Sequence, residues 1–153
     1  MLEGVIIKKL NKHKDERGWL AEIYRNDEVD YQPVMSYISV TKPGIVRGPH
    51  EHIKQSDCFV FVGPGSFELY LWDKREDSKT NGQQMKVRAG ENEPAMIIVP
   101  PGVAHGYKCV SDQDGWCINL PDKLYRGKDR QGEIDEIRWE DRDNSPYKIV
   151  ESL

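Results

Sequence analysis

Three of the four histidines fall in two short contexts, Arg47-Gly48-Pro49-His50-Glu51-His52 and Pro100-Pro101-Gly102-Val103-Ala104-His105-Gly106. Imidazole changes charge near neutral pH and also ligates divalent metals, so it suits two chemistries: moving a proton and holding an ion. His50 and His52 stand two apart, so on a strand both point to one face. Inside a small barrel that face is the lumen, where buried imidazoles need polar partners. Gln55 and Asp57 follow as a second polar pair two apart, which adds polar partners to the segment and weighs against an outer, wet placement. His50, His52, Asp57 and His105 together make a three-imidazole and carboxylate set. Such a set suits Fe, Mn, Ni or Zn with positions left for a substrate.

The elements that must carry these residues read as strands. Gly4–Ile7, Trp19–Tyr24, Val34–Val40, Cys58–Val62, Phe67–Trp72, Met85–Arg88, Ala95–Val99, Tyr107–Val110 and Trp116–Leu120 are short apolar or alternating runs. Turn signals such as Lys42-Pro43-Gly44, Gly63-Pro64-Gly65 and Pro100-Pro101-Gly102 separate them. No segment sustains the apolar stripe of an amphipathic helix. The pattern predicts an all-β sandwich or jelly-roll barrel. From Asp122 onward the chain is charged and loop-like, with Ile137 and Trp139 able to tuck this tail back onto the barrel.

Composition narrows the function classes. At 153 residues the chain is one domain, residues 1–153, with enough length for a core. Lys and Arg number 22 against 26 Asp and Glu, a net charge of −4, which argues against nucleic acid as the main partner. No apolar run is long enough to span a bilayer, and the first residues do not read as a signal peptide. Three cysteines without a CxxC spacing fit free thiols in a reducing cytoplasm.

Gly44-x5-His50-x-His52-x4-Asp57, followed by Pro100-x-Gly102-x2-His105, resembles the two cupin motifs. Asp57 stands where that pattern has Glu, Cys109 where it has Asn, and Pro94 where it has Gly. A closer resemblance runs from end to end. Asp15-Glu16-Arg17-Gly18-Trp19-Leu20-Ala21-Glu22 resembles D-x-R-G-F-F-x-E, and Val46-Arg47-Gly48-Pro49-His50 resembles L-R-G-L-H. The stretch from Leu71 to Gly82 resembles V-D-x-R-x-x-S-P-T-x-G. Ile98 to Tyr107 resembles I-P-x-G-F-A-H-G-F, and Ile137 to Asp141 resembles I-x-W-D-D. These are the motifs of the dTDP-4-dehydrorhamnose 3,5-epimerase family, in that order.

The resemblance implies a cupin jelly roll of two packed antiparallel sheets with a loop-rich C-terminal tail. It implies an isomerase that removes a proton α to the ketone of a nucleoside-diphosphate 4-keto-6-deoxy sugar, in polysaccharide synthesis, with no cofactor. It places His50 as the base and Arg47 as a pyrophosphate or enolate partner. Arg17, Trp19 and Glu22 are expected at the nucleotide, His105 and Asp73 at further lumen positions, and Tyr125 in the binding segment, with Gln55 and Asp57 in the pocket. It also implies a homodimer whose N-terminal strands, here Gly4–Ile7, pair between subunits.

Three positions differ from the family pattern. The family's acid tyrosine falls near Asn119, its Q-x-K lysine falls at Asp57, and its supporting C-terminal Asp lies in a segment beyond this chain, leaving Asp141 or Asp143 to substitute. The His-x-His form is similar to the dTDP-4-keto-6-deoxyglucose 3,4-ketoisomerases, which carry R-G-x-H-A-H-K and a tyrosine on the preceding strand. That likeness adds His52 and Tyr37 to the catalytic set. Two other readings stand beside the isomerase: a metal-dependent cupin with one divalent transition metal on His50, His52, Asp57 and His105, and a non-catalytic sugar-nucleotide-binding cupin.

Overall fold

A computed structural model describes residues 1–149. Its strands are β1 (Ile6–Lys9), β2 (His13–Asp15), β3 (Gly18–Leu20), β4 (Tyr37–Thr41), β5 (Val46–Glu51) and β6 (Asp57–Phe61), then β7 (Ser66–Asp73), β8 (Gln84–Gly90), β9 (Ala95–Val99), β10 (Val103–Cys109), β11 (Gly115–Asn119) and β12 (Ile137–Arg138). A 3-10 turn at Lys128–Arg130 is the helical element among the described residues. No helix there is long and apolar enough to cross a membrane.

Two five-stranded antiparallel sheets, in the orders β1-β9-β6-β11-β4 and β12-β5-β10-β7-β8, face each other, and β2-β3 forms a separate hairpin. Strand alternation supplies the core between them. Phe61, Phe67, Leu69, Leu71 and Ile97 are wholly buried there. Each contributes about 1.5–3 kcal/mol of apolar burial. The ring edges of Phe59, Phe61, Phe67 and Tyr107 meet at centroid distances of 4.9–5.7 Å.

A second cluster explains why Cys58–Val62 reads as continuous apolar rather than alternating. The outward side chains Cys58, Val60, Met96 and Ile98 are also buried, under Tyr31 and the 21–29 segment. Both faces of β6 and β9 are therefore dry. That cover stops short of β4 and β11, whose outer face leaves Ile38, Val40 and Trp116 about half exposed. Cross-strand pairs Ile38–Ile118 and Val40–Trp116 make this one continuous strip.

The expected strands appear with shifted bounds: the first runs Ile6–Lys9 rather than Gly4–Ile7, the second stops at Leu20, and the histidine-bearing β10 begins at Val103. The His50–His52 segment is itself largely strand, β5, despite its Gly-Pro. In the tail, Ile137 pairs with Glu51 and Arg138 with His50, so it does return to the barrel. Trp139 closes on Tyr147 there, at 5.1 Å between rings.

Candidate active site

The site forms where β5 and β10 pair with His50 opposite His105. Two glycines allow the strands to come this close. A Cβ on Gly48, which has φ 81°, would meet the His105 carbonyl oxygen at 2.9 Å, and one on Gly106 would meet the Arg47 carbonyl oxygen at 2.8 Å. The ladder slips between His105 and Tyr107, with three steps along β5 against two along β10, while His105 and Tyr107, two apart, keep to one face. The His50 and His105 ring centroids lie 4.6 Å apart, and His52 lies 5.3 Å from His50.

Asp57, at the start of β6, brings the opposite sheet into the cluster. Its Oδ2 lies 3.1 Å from Nε2 of both His52 and His105. Its Oδ1 accepts hydrogen bonds from Gln55 Nε2 at 2.9 Å and Asn119 Nδ2 at 2.8 Å. Burial alone would raise this carboxyl's pKa. The bonds from His105 and His52 outweigh that and hold it well below the usual carboxylate range. Burial likewise pulls His52 down, but its bond to Asp57 prevails and pushes it up to about 9. His50 has no such bond; burial, with His105 beside it, pulls its imidazole down to about 3. The pair thus divides into a charged His52 and a neutral His50 at physiological pH.

A carboxylate does face His50, and it is Glu136, with Oε1 3.9 Å from Nδ1. The expected substitutes, Asp141 and Asp143, are exposed. The reason is register: β12 sets Arg138 opposite His50, which carries the preceding Glu136 to the lumen side of the ring. Asp135, its neighbour, is a second residue that sequence reasoning missed. Its carbonyl holds His52 Nδ1, and its carboxylate accepts the backbone N–H groups of Ile53, Lys54 and Gln55 at 2.8–2.9 Å. The sequence signal for both was only a charged stretch.

Tyr37 sits beside Asn119, its cross-strand partner, and accepts a hydrogen bond from Asn119 Nδ2 at 2.8 Å. The tyrosine hydroxyl is thus carried from β4 into the neighbourhood where Asn119 lies on β11. Its ring is half exposed, yet burial of the hydroxyl end pushes its pKa up to about 12.

Two cavities meet at this wall. One of about 620 Å³ is lined by Tyr37, Arg47, His50, Trp139 and Arg142, the other of about 580 Å³ by Tyr37, His50, Gln55 and Tyr125. Glu136 and Arg138 line both. Each volume falls in the range of ligand sites. Arg47 is held by Thr41 Oγ1 and the Val40 carbonyl, at 2.9 and 2.7 Å.

Four expected substrate contacts lie elsewhere in the protomer. Arg17 is 84% exposed at the β2–β3 turn and pairs with Asp15. Trp19 lies under the Lys12 ammonium, and Glu22 pairs with Arg25. Arg17 and Trp19 belong to the separate β2–β3 hairpin and Glu22 follows it, and none of the three lines either cavity at His50. Asp73 is fully buried and is used up by Arg75, Ser78 and Thr80, which close the β7–β8 connection. It is a structural anchor rather than a lumen contact.

A two-sheet jelly roll with imidazoles from two paired strands in its lumen is a cupin-type barrel. The chain belongs to the dTDP-4-dehydrorhamnose 3,5-epimerase family, whose model matches residues 1–145. It is 36% identical over 143 residues to the spore coat polysaccharide biosynthesis protein SpsL of Bacillus subtilis, covering 92% of each chain. It is 37% identical over 131 residues to the probable low-salt glycan biosynthesis epimerase Agl13 of Haloferax volcanii, covering 84% of this chain and 83% of that one. A dTDP sugar isomerase from Desulfovibrio desulfuricans shares the fold, with a TM-score of 0.79, 24% identity and coverage of 90% and 84%. The chain is an epimerase-family isomerase by that membership.

Proposed function

We propose that the protein moves a proton α to the ketone of a nucleoside-diphosphate 4-keto-6-deoxy sugar, dTDP-linked, for surface polysaccharide or glycan synthesis. The observation that carries this is the shared wall: His50 and Tyr37 line both cavities at their junction, with Glu136 behind His50. His50 takes the proton from carbon as the C–H bond breaks and an enolate forms, and Glu136 steadies the resulting imidazolium. Tyr37 returns a proton to the enolate at carbon; His50 then releases its proton to solvent and Tyr37 takes one from it, which resets both groups. Arg47 and Arg142, in the larger cavity, fit the diphosphate, and Trp139 carries the Arg142 guanidinium on its face at 4.3 Å. His52, Gln55 and Tyr125 complete the lining of the smaller cavity, and His105 lies buried against His50. The names of SpsL and Agl13 support the polysaccharide setting.

Two features extend the reading. The half-exposed strip of Ile38, Val40 and Trp116 fits cover by a second copy, hence a homodimer. Three buried free thiols fit the cytoplasm.

The test supplies dTDP-4-keto-6-deoxyglucose in deuterated water and follows the sugar by NMR. Deuterium entering at C3 or C5 is expected. No exchange at either carbon with folded protein removes the reading for this substrate, and binding without exchange would favour a non-catalytic module.

A further inference from the structure

The outer face of the second sheet carries a cavity that proton transfer does not use. Along β7, Phe67, Leu69 and Leu71 enter the core, so Glu68, Tyr70 and Trp72 stand on the opposite face. Register sets Gln84 of β8 beside Trp72 and Lys86 beside Tyr70. On the other flank, the tail lies over Ala104 and Gly106 of β10, with the Tyr147 ring 5.3 Å from that of Trp72. Between this wall and β8 is a cavity of about 470 Å³, lined by Tyr70, Trp72, Gln84, Lys86 and Lys148. Neither His50 nor Tyr37 borders it.

The polar groups here are committed in one sense. Trp72 Nε1 can only donate, and it donates to Gln84 Oε1 at 3.2 Å, which leaves the amide N–H groups of Gln84 for another partner. Glu68 accepts from the Tyr70 hydroxyl at 2.6 Å on one oxygen and from Lys86 Nζ at 3.0 Å on the other. Lys86 keeps two further N–H donors, and its ammonium stands 5.8 Å from the Tyr70 ring centroid. Lys148 brings a second ammonium. The cavity therefore presents donors and positive charge beside an aromatic pair. The Tyr70 and Trp72 rings run nearly parallel, 17° apart, with centroids 6.2 Å from each other.

A ligand that complements this surface has acceptors, negative charge and an apolar patch about one ring wide. A pyranose bearing a carboxylate or a phosphate has all three. Its hydroxyl oxygens meet the amide and ammonium donors, its anion meets the lysines, and its C–H groups pack on the aromatic side chains. The cavity volume is that of a small-ligand site. A neutral sugar would leave the ammonium groups unanswered, and a metal cation would be repelled.

We propose that Tyr70, Trp72, Gln84, Lys86 and Lys148 form a binding site for an anionic pyranose, a uronate or a sugar phosphate, on the face of the sheet turned away from the histidines. The saccharide held there is not the one that reacts. The site is independent of the isomerase reading, which rests on His50 and Tyr37.

The test titrates isotope-labelled full-length protein and follows the indole N–H signals by NMR. Trp72 reports this cavity and Trp139 the larger one. The compounds are methyl glucuronide, glucose 6-phosphate, methyl glucoside and thymidine monophosphate. A saturable shift at Trp72 is expected with the glucuronide or the sugar phosphate, and the tighter of the two identifies the anion. The neutral glucoside should bind at least about 10-fold more weakly, and Lys86→Glu should weaken the anion by about 10-fold or more. Gln84→Ala, a second exposed position, should also weaken it and serves if Lys86→Glu does not fold, as checked by circular dichroism. No saturable shift at Trp72 with either anion, equal affinity for the glucoside, or a shift with the nucleotide alone overturns the site. So do shifts confined to Trp139, or affinity unchanged in both folded variants. Deuterium exchange is expected to be unchanged in Gln84→Ala, so failure of this site and failure of the isomerase reading appear in different experiments.

Discussion

Glu136 presents its carboxylate oxygen to Nδ1 of His50 at 3.9 Å, across the junction of the two cavities. Both side chains are mostly buried, at 15% and 18% exposed. At 3.9 Å the two make no hydrogen bond, but the charge the imidazole gains on taking a proton is met by a nearby anion. Glu136→Gln keeps the shape and removes the charge. The expected loss is about 10- to 100-fold in kcat, less than the 10²–10⁴ of the base itself, with KM little moved. The acidic limb of the pH–rate profile, which reports the base, should shift to lower pH as the nearby anion is lost, and Glu136→Asp should recover part of the rate. A kcat within about twofold of wild type in Glu136→Gln would show that His50 works without it.

Tyr37 separates the two halves of the reaction. If it returns the proton, Tyr37→Phe leaves removal by His50 in place and impairs delivery. NMR in deuterated water should show product formation falling about 100-fold or more while starting sugar still gains deuterium. Equal loss of both signals would place Tyr37 in binding rather than delivery.

Gly106 tests the approach of the histidine strands. In Gly106→Ala the new methyl meets the Arg47 carbonyl oxygen at 2.8 Å and Pro49 Cα at 3.1 Å, both backbone. β5 must move, and His50 with it. Activity should fall by about 10²-fold, because misplacement of about 1 Å is enough for that. Stability should fall by about 1–3 kcal/mol, the usual cost of overpacking. Activity loss no greater than the unfolded fraction, measured by thermal melting, would argue against strand spacing as the cause.

Asp73 governs part of the acid stability. Its bond to Arg75, opposed by burial and helped by Ser78 and Thr80, holds its carboxyl well below the ordinary value. The folded state then binds this proton less readily than the unfolded chain does. The stabilisation is full above an ordinary carboxyl pKa of about 4 and disappears as pH falls below it. Asp73→Asn should cost about 2–3 kcal/mol at pH 7, the scale of lost charge-assisted hydrogen bonds, and progressively less below about pH 4. Denaturant melts at pH 7 and pH 3 check this; equal cost at both would exclude the charge as the cause.

Much of the barrel was readable because burial imprints itself on alternation. Phe67–Trp72 alternates since one side enters the core and the other faces water, and Cys58–Val62 does not, since Tyr31 and its neighbours cover its outer side. β5 was less readable: Gly48 and Pro49 are poor strand formers, tolerated because the slipped ladder and the close approach to β10 require them. The histidine cluster was legible from residue type and spacing. Its carboxylate supports were not. Asp135 and His52 are 83 residues apart, and the two-residue β12–β5 ladder, with the Asp135 carboxylate on the N–H groups of Ile53 to Gln55, brings the tail to them. Arg17, Trp19 and Glu22 were legible as motif, but position in a motif does not say which side of a barrel a hairpin lies on.

The β12–β5 pairing also sets an order in time. Synthesis proceeds from the N-terminus, so β1 to β11 and all three clustered histidines exist before Glu136, Arg138 and Trp139 are made. The early chain has a lumen open on one side, with nothing behind His50 and no partition between the two cavities. A nascent or truncated chain ending before Glu133 therefore carries the clustered histidines yet lacks an enclosure for a sugar nucleotide. Commitment to substrate is deferred to the last segment laid down, and relatives that differ there can differ in what they accept while keeping the same barrel.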